Sequence, residues 1–359
     1  MTVTSAGTAQ GWSLADRVPD QVVPTCLYDS ADWLRSWELI GIEHSVHRRY
    51  VSADPGPHGV AVLPLYVLTS SPFWFGYLAQ TGRTGLAGRH VFAGSTYSMY
   101  TKRGPFPAAL ARGAHATAMA WIEAGDAELL IAPNLTEDAA DVWEAAVGPA
   151  TGRVLLDRTY SGELCGDFAD HLDRLPVKLG KDVRRRLRRS HERGLRVRML
   201  EGPEAHALVP MALPLTVGTT DEHDWPPLYD EDTLHGLLRV PGAMLVAAQV
   251  GDRLVGVFFG FRHGTEVTYL CGGVDYSSLT ELSTYVALMY RCTEWAYEHG
   301  FSRIEWGRDN YRFKERHGLT GTNLWALVYA PDRRPGLRAA LSDMHRSLVA
   351  YVGAADEIG

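Results

Sequence analysis

Between residues 243 and 329 the hydrophobic period changes twice, and that change restricts the architectures open to the chain. "GAMLVAAQV", "RLVGVFFGFR" and "EVTYLCGGV" are β-rich runs separated by Gly-Asp and His-Gly turns, the pattern of an antiparallel meander. From Glu281 to His299 the period becomes helical, with Leu282, Tyr285, Val286, Met289 and Ala296 on the inner side and Gly300 as the stop. The strand "FSRIEW", the loop "GRDNYRFKERHG" and a last strand "TNLWALVYA" follow. An order of helix, meander, helix, strand and strand specifies an α+β sandwich and not a doubly wound sheet.

Upstream, "SADWLRSWELI" reads as an amphipathic helix with Trp33, Leu34, Trp37 and Ile40 on one side. "GVAVLPLYVL" and "FWFGYLA" read as short β-rich runs, and the glycine-dense "QTGRTGLAGRHVFAGSTYSMYTKRGPF" as loop or interrupted strand. A helix over "AALARGAHATAMAWIEAG" leads into the strand "AELLIA". At 359 residues the chain is long for one core. The expected organisation is one domain over residues 1–165, a second over 166–335, and a C-terminal helix and tail over 336–359.

The composition narrows the function classes. Cys26, Cys165, Cys271 and Cys292 are far apart and form no C-x-x-C pair, which argues against a zinc site or a disulfide framework and for a reducing compartment. No apolar run reaches eighteen residues, and "MTVTSAGTAQGWSLADRVPD" has neither a basic nor an apolar leader region, so the expected location is cytoplasmic. "DEHDW" gathers Asp221, Glu222, His223 and Asp224, but consecutive side chains converge poorly on one ion; an acidic loop is expected, and no metal. Nucleophile-elbow, H-E-x-x-H and Walker A patterns are absent.

With a formal net charge of -7 the protein does not coat polyanions as a whole, so any polyanion is met locally. Yet "VKLGKDVRRRLRRSHERGLRVRML" carries ten Lys and Arg between Lys178 and Arg198 against Asp182 and Glu192. Leu179, Val183 and Leu187 recur every four residues and Gly194 supplies a stop, so the stretch begins as a helix. Its like-charge pairs, Lys181/Arg185, Arg184/Arg188 and Arg185/Arg189, each cost roughly 0.2–0.5 kcal/mol in an isolated helix. Cations in its first turns oppose the macrodipole. A segment so disfavoured locally suits an anionic partner such as phosphate; the competing reading is a solvated face whose arginines pair with acids elsewhere.

A second segment, "EWGRDNYRFKERHG", interleaves Trp306, Tyr311 and Phe313 with Arg308, Arg312, Lys314 and Arg316. Rings stack bases and cations hold phosphates, so the mixture suits a nucleotide or a nucleic-acid end, although a strand edge has the same composition. A third, "GGVDYSSLTELSTY", stands where acyl-CoA-dependent acetyltransferases normally carry R/Q-x-x-G-x-G/A, whose N–H groups cradle pyrophosphate at a helix start. That loop is missing, and "GRTGLA" at 82–87 has Gly82 in place of its first Arg or Gln.

In layout and local pattern these segments resemble the two-domain members of the GNAT superfamily, the FemABX-like peptidyl ligases and the related CelD-like acyltransferases. The match is carried by "VKLGKDVRRRLRR", "RLVGVFFGFRHGTEVTYLCGGVD", "STYVALMYRCTEWAYEHG" and "EWGRDNYRFKERHG". The resemblance implies an α+β fold of two tandem GNAT-like domains, each a mixed, mostly antiparallel sheet flanked by helices, with an amine acceptor bound in a cleft between them. It implies amide formation by transfer from an aminoacyl-tRNA, or in other members from acyl-CoA, with no cofactor beyond that donor. The family's basic helix carries over to Lys178, Lys181, Arg184, Arg185 and Arg188, and its phenylalanine-lysine segment to Phe313 and Lys314, the lysine facing the donor. Nothing in the chain specifies the nucleotide-linked peptidoglycan precursor that the Fem ligases accept, so a small-molecule or peptide amine stays open.

The expected mechanism is attack of the acceptor amine on a donor ester, an activated acyl group that needs alignment and oxyanion stabilisation. Lys314 is expected to hold the oxyanion or the donor's terminal phosphate, and Asp275, Glu305 or a water to take the amine proton. Arg189, Arg308, Arg312 and Arg316 join the donor-binding set; Tyr97, Tyr100 and Trp306 are the expected acceptor contacts. Two other readings remain: an acyl-CoA-dependent N-acyltransferase using Arg308 and the long helix for pyrophosphate, and a non-enzymatic nucleic-acid-binding protein.

Overall fold

The computed structural model describes residues 11–53, 59–98, 106–223, 225–331 and 334–358. The chain divides into two units, one holding the residues up to Thr159 together with Thr322–Ile358, the other Tyr160–Gly321.

The first unit contains β1 (Trp12–Ala15), α1 (Ala31–Ile40), β2 (Ser45–Ala53), β3 (Ala61–Leu68), α2 (Pro72–Thr81), β4 (His90–Ala93), α3 (Ala108–Glu123), β5 (Leu130–Leu135) and α4 (Glu137–Val147), in that order. β6 (Gly152–Glu163) begins in this unit and ends in the second. β1 to β4 are successively antiparallel, then α3 crosses over so that β5 lies parallel to β4. α1 forms as expected: Ser30 caps it by accepting from the Trp33 N–H, and Trp33, Leu34, Trp37 and Ile40 are buried. "FWFGYLA", expected as a strand, is instead the core of α2. Pro72 opens the helix, Gly82 closes it in the left-handed region, and Trp74, Tyr77 and Leu78 fall on one helical face.

The second unit continues with α5 (Phe168–Arg174), α6 (Val177–Glu192), β7 (Leu195–Leu200), α7 (Gly202–Ala207), α8 (Val209–Glu222), α9 (Glu231–Leu238), β8 (Ala243–Val250), β9 (Arg253–His263) and β10 (Glu266–Val274). It ends with α10 (Leu279–Leu282), α11 (Thr284–Glu298), β11 (Arg303–Gly307) and α12 (Tyr311–Arg316). The meander β7–β8–β9–β10 is antiparallel, and α11 again crosses over to a parallel strand, β11. Both units thus repeat one scheme of strand, helix, meander, crossover helix and parallel strand. Among the described residues the twelve strands form one mixed sheet flanked by helices, the α+β class expected from the sequence.

Further elements differ from expectation. The long helix over 281–299 is broken at Ser283, which adopts φ 50° between α10 and α11. The loop over 307–318 contains the short helix α12. The last strand, β12 (Thr320–Tyr329), and α13 (Leu337–Ile358), which sequence order placed with and after the second half, are built mainly into the first unit, where Leu327, Val328 and Tyr329 pair with Ala132, Ile131 and Leu130 of β5.

Candidate active site

In the second unit the parallel ladder between β10 and β11 has only three pairs, Glu266–Arg303, Val267–Ile304 and Thr268–Glu305. Beyond them β10 runs on to Val274 and β11 to Gly307, so the sheet opens into a fork. Both arms are irregular where they part: β10 shifts register against β9 between Tyr269 and Cys271, and β11 shifts against β6 between Glu305 and Gly307. Bulges re-aim side chains and end pairing, and here two stand at the mouth of one opening.

Aromatic rings line the fork. Tyr269 stacks on Trp306 with centroids 4.5 Å apart, Phe258 meets Trp306 edge-on at 5.7 Å, and Tyr285 of α11 meets Phe258 edge-on at 5.8 Å and Phe313 at 5.2 Å. At this wall the Trp306 Nε1 and the Thr284 hydroxyl are buried without a hydrogen-bond partner among the described residues. Each such group costs about 1–3 kcal/mol, and folded proteins keep few of them. Trp306 lies on β11, one arm of the fork, and Thr284 opens α11; each is a buried donor suited to meet a ligand oxygen. Cys292 is no nucleophile here, because burial pushes its thiol up to about 12.

The loop leaving β11 is shaped by backbone conformations that disfavour most residues: Gly307, Asp309 and Asn310 have φ of 63°, 63° and 51°. Non-glycine residues held there cost about 1–3 kcal/mol each. Lys314, only 2% exposed, holds the loop in place. Its Nζ donates to the carbonyls of Trp306 (2.8 Å), Gly307 (3.1 Å) and Arg308, and lies 5.8 Å from the Tyr160 ring centroid. The Tyr160 hydroxyl in turn donates to Glu315 at 2.8 Å. These carbonyls engage the ammonium within the loop, which corrects the expectation that Lys314 holds an oxyanion or a phosphate. It positions Trp306 and Arg308 instead.

Asp275 is corrected as well. Its carboxylate accepts from the Ser277 N–H (3.0 Å), the Ser277 hydroxyl (2.5 Å) and the Ser278 hydroxyl (2.8 Å), and pairs with Arg253 at 3.2 Å. Ser277 foremost, then Ser278, with Arg253 adding to them, holds it below the usual carboxylate range, so it is a turn cap and a poor base. Glu305, 2% exposed, stands in the last parallel pair at the root of the fork, 3.8 Å from Arg303. Arg308 is buried, Arg312 and Arg316 are exposed, and half-buried Phe313 stacks on His317 at 4.0 Å.

α6 buries Gly180, Val183, Leu187 and Ser190, and the Ser190 hydroxyl donates to the Leu282 carbonyl at 2.7 Å, tying the helix to α10. Its other face is only partly neutralised. Asp173 takes Arg184, Asp182 takes Arg185 and Arg186, and Glu192 lies 3.7 Å from Arg188. Lys178, Lys181 and Arg189 are exposed and form no ion pair among the described residues. The reading of a solvated face paired with acids therefore describes Arg184, Arg185, Arg186 and Arg188.

In the first unit Tyr97 is 1% exposed, stacked on Trp37 at 5.2 Å and met edge-on by Phe73 at 5.2 Å. Its ring belongs to the core, which corrects its place among the acceptor contacts. Tyr100 lies outside the described residues. The residues that sequence reasoning missed are Phe258, Tyr269, Thr284 and Tyr285, which read there as ordinary strand and helix positions.

Residues 178–315 match the model of the acetyltransferase (GNAT) domain family. FemX shares the fold at a TM-score of 0.58 and 12% identity, over 86% of this chain and 93% of that one. L-PGS from Bacillus licheniformis follows at 0.51 and 10% over 88% and 92%, and the C-terminal domain of a putative lysylphosphatidylglycerol synthetase from Agrobacterium fabrum at 0.51 and 12% over 89% and 92%. No curated protein matches the chain. The chain has the FemABX-like two-domain GNAT fold, with the matched GNAT domain in its second unit.

Proposed function

We propose that the protein is an acyltransferase that forms an amide by moving an aminoacyl or acyl group from a tRNA-linked ester to a small-molecule or peptide amine. The observation that carries this reading over an acyl-CoA donor is the turn after β10. There Asp275 places a carboxylate, and takes the Ser277 N–H, where a pyrophosphate cradle would need free N–H groups and no negative charge. The cationic stripe of Lys178, Lys181 and Arg189 on α6 suits a longer polyanion.

The ester carbonyl enters the fork, and the amine nitrogen adds to it. Trp306 Nε1 and the Thr284 hydroxyl donate to the oxyanion, Glu305 takes the amine proton, the C–O bond breaks, and the proton passes to the departing ribose oxygen. Arg312 and Arg316 hold phosphates near the acceptor end, with buried Arg308 in the same loop, and the arginines of α6 that are already paired with carboxylates contribute less.

Titration with deacylated bulk tRNA and with coenzyme A across a salt series tests the donor. Removing all three outward charges, as Lys178→Ala, Lys181→Ala and Arg189→Ala, is expected to lower the slope of log affinity for tRNA against log salt by about 2–3, given about 0.7–0.9 per phosphate contact. Binding of coenzyme A alone, or an unchanged slope, rejects the tRNA donor.

A further inference from the structure

The first unit holds a buried carboxyl that the proposed transfer does not use. Glu43 follows α1, and its Oε1 accepts from the hydroxyl of Ser71, the residue before α2, at 2.7 Å and from that of Thr96, just after β4, at 2.7 Å. The same two hydroxyls also contact each other. The second oxygen, Oε2, is buried and makes no hydrogen bond among the described residues, while the Ser95 hydroxyl and the Thr96 N–H also act on the carboxyl. Glu43 as a residue is half-buried, while its Oε2 is buried.

The surroundings are fixed. The Asn134 side-chain amide, on a backbone at φ 57°, donates to the carbonyls of Ser95 (3.2 Å), Thr96 (3.1 Å) and Ser98, which locks the turn that presents Thr96. Directly after it the rings of Tyr97, Trp37 and Phe73 pack together as an apolar wall. Burial, the largest influence, raises the proton affinity of Glu43; the groups opposing it are hydroxyl and amide donors, and no cation is among them. A buried carboxylate held on one oxygen by neutral donors, with the other oxygen empty, lacks a positive charge.

We infer that Glu43 is the anchor of an ammonium site in the first unit, which takes the protonated amine of a small substrate on its Oε2. An ammonium supplies both the missing hydrogen bond and the missing charge, where a hydroxyl or a neutral amide supplies only the first. Naming that amine as part of the acceptor rests on the proposed transfer, but its binding needs no donor. Loss of transfer and loss of this site are therefore separate results.

The experiment is calorimetric titration of the full-length protein with ethanolamine, L-lysine amide, D-glucosamine and cadaverine, each beside the counterpart in which hydroxyl replaces the amine. At least one amine is expected to bind about tenfold or more tightly than its hydroxyl counterpart, and Glu43→Gln, which keeps an acceptor for Ser71 and Thr96, is expected to abolish that difference. Equal binding of every amine and its counterpart, or an undiminished preference in Glu43→Gln, overturns the inference. The amine-to-hydroxyl comparison uses unaltered protein, so it decides the matter even where the variant does not fold.

Discussion

Lys314→Met is expected to destabilise the second unit by about 3–5 kcal/mol and to abolish transfer as a consequence. Methionine preserves most of the volume but leaves the carbonyls of Trp306, Gly307 and Arg308 without their shared donor. An orphaned buried acceptor costs about 1–3 kcal/mol, partly offset here because a buried ammonium no longer has to be desolvated. The left-handed residues Asp309 and Asn310 then lose the contact that keeps them so, and Trp306 leaves its place on Tyr269. Lys314→Arg is not expected to rescue it, because a planar fork cannot serve three carbonyls that converge on one point. Urea unfolding with hydrogen exchange across residues 303–318 measures the effect. A Lys314→Met protein that melts like the parent yet fails to transfer would return this lysine to the chemistry.

What the sequence revealed, and what it hid, divides by the range of the interaction. α6 was legible because its apolar spacing, its charge and its glycine stop all lie within one segment. The neutralisation of Arg184 was hidden, since its partner Asp173 belongs to a different helix. α2 was misread because "FWFGYLA" is apolar at every position and so shows neither period. Its signals were the flanking Ser-Pro and Thr-Gly, which mark helix ends. The last strand was assigned by nearness in sequence, while its partner β5 lies nearly two hundred residues earlier. The fork was invisible for the same reason: it arises where two strands stop pairing, and bulges at Tyr269 and Glu305 leave no mark in composition. The segment 305–318 was legible as special in its mixture of rings and cations, but the job of Lys314 depends on carbonyls, which no sequence displays.

Acidification from pH 7 to pH 5 is expected to destabilise the second unit by roughly 2–3 kcal/mol through two histidines that lie behind this loop. The Tyr290 hydroxyl donates to His317 Nδ1 at 2.5 Å, because burial raises the phenol and keeps it protonated, while Phe313 stacks on the other side of the imidazole. Burial foremost lowers His317 to about 4; Arg316, Arg186 and His171 act in the same direction and Asp182 against it. His171, in contact with the rings of Tyr290 and Tyr297, is lowered to about 4 by burial and by Arg174. Both are neutral in the folded state, whereas the unfolded chain takes up protons near 6.5. Between about pH 6.5 and 4 the unfolded state therefore binds more protons, and stability falls as the pH falls. The full shift of both groups would give more than the stated figure, which is discounted because each ring retains some access to solvent. Hydrogen exchange in α11 and α12 as a function of pH reads the effect where it arises. His317→Gln, which can still accept from Tyr290, is expected to remove about half of the slope between pH 7 and 5. A slope unchanged in that variant would mean that the imidazole is already protonated in the folded protein, and that the Tyr290 contact does not hold it neutral.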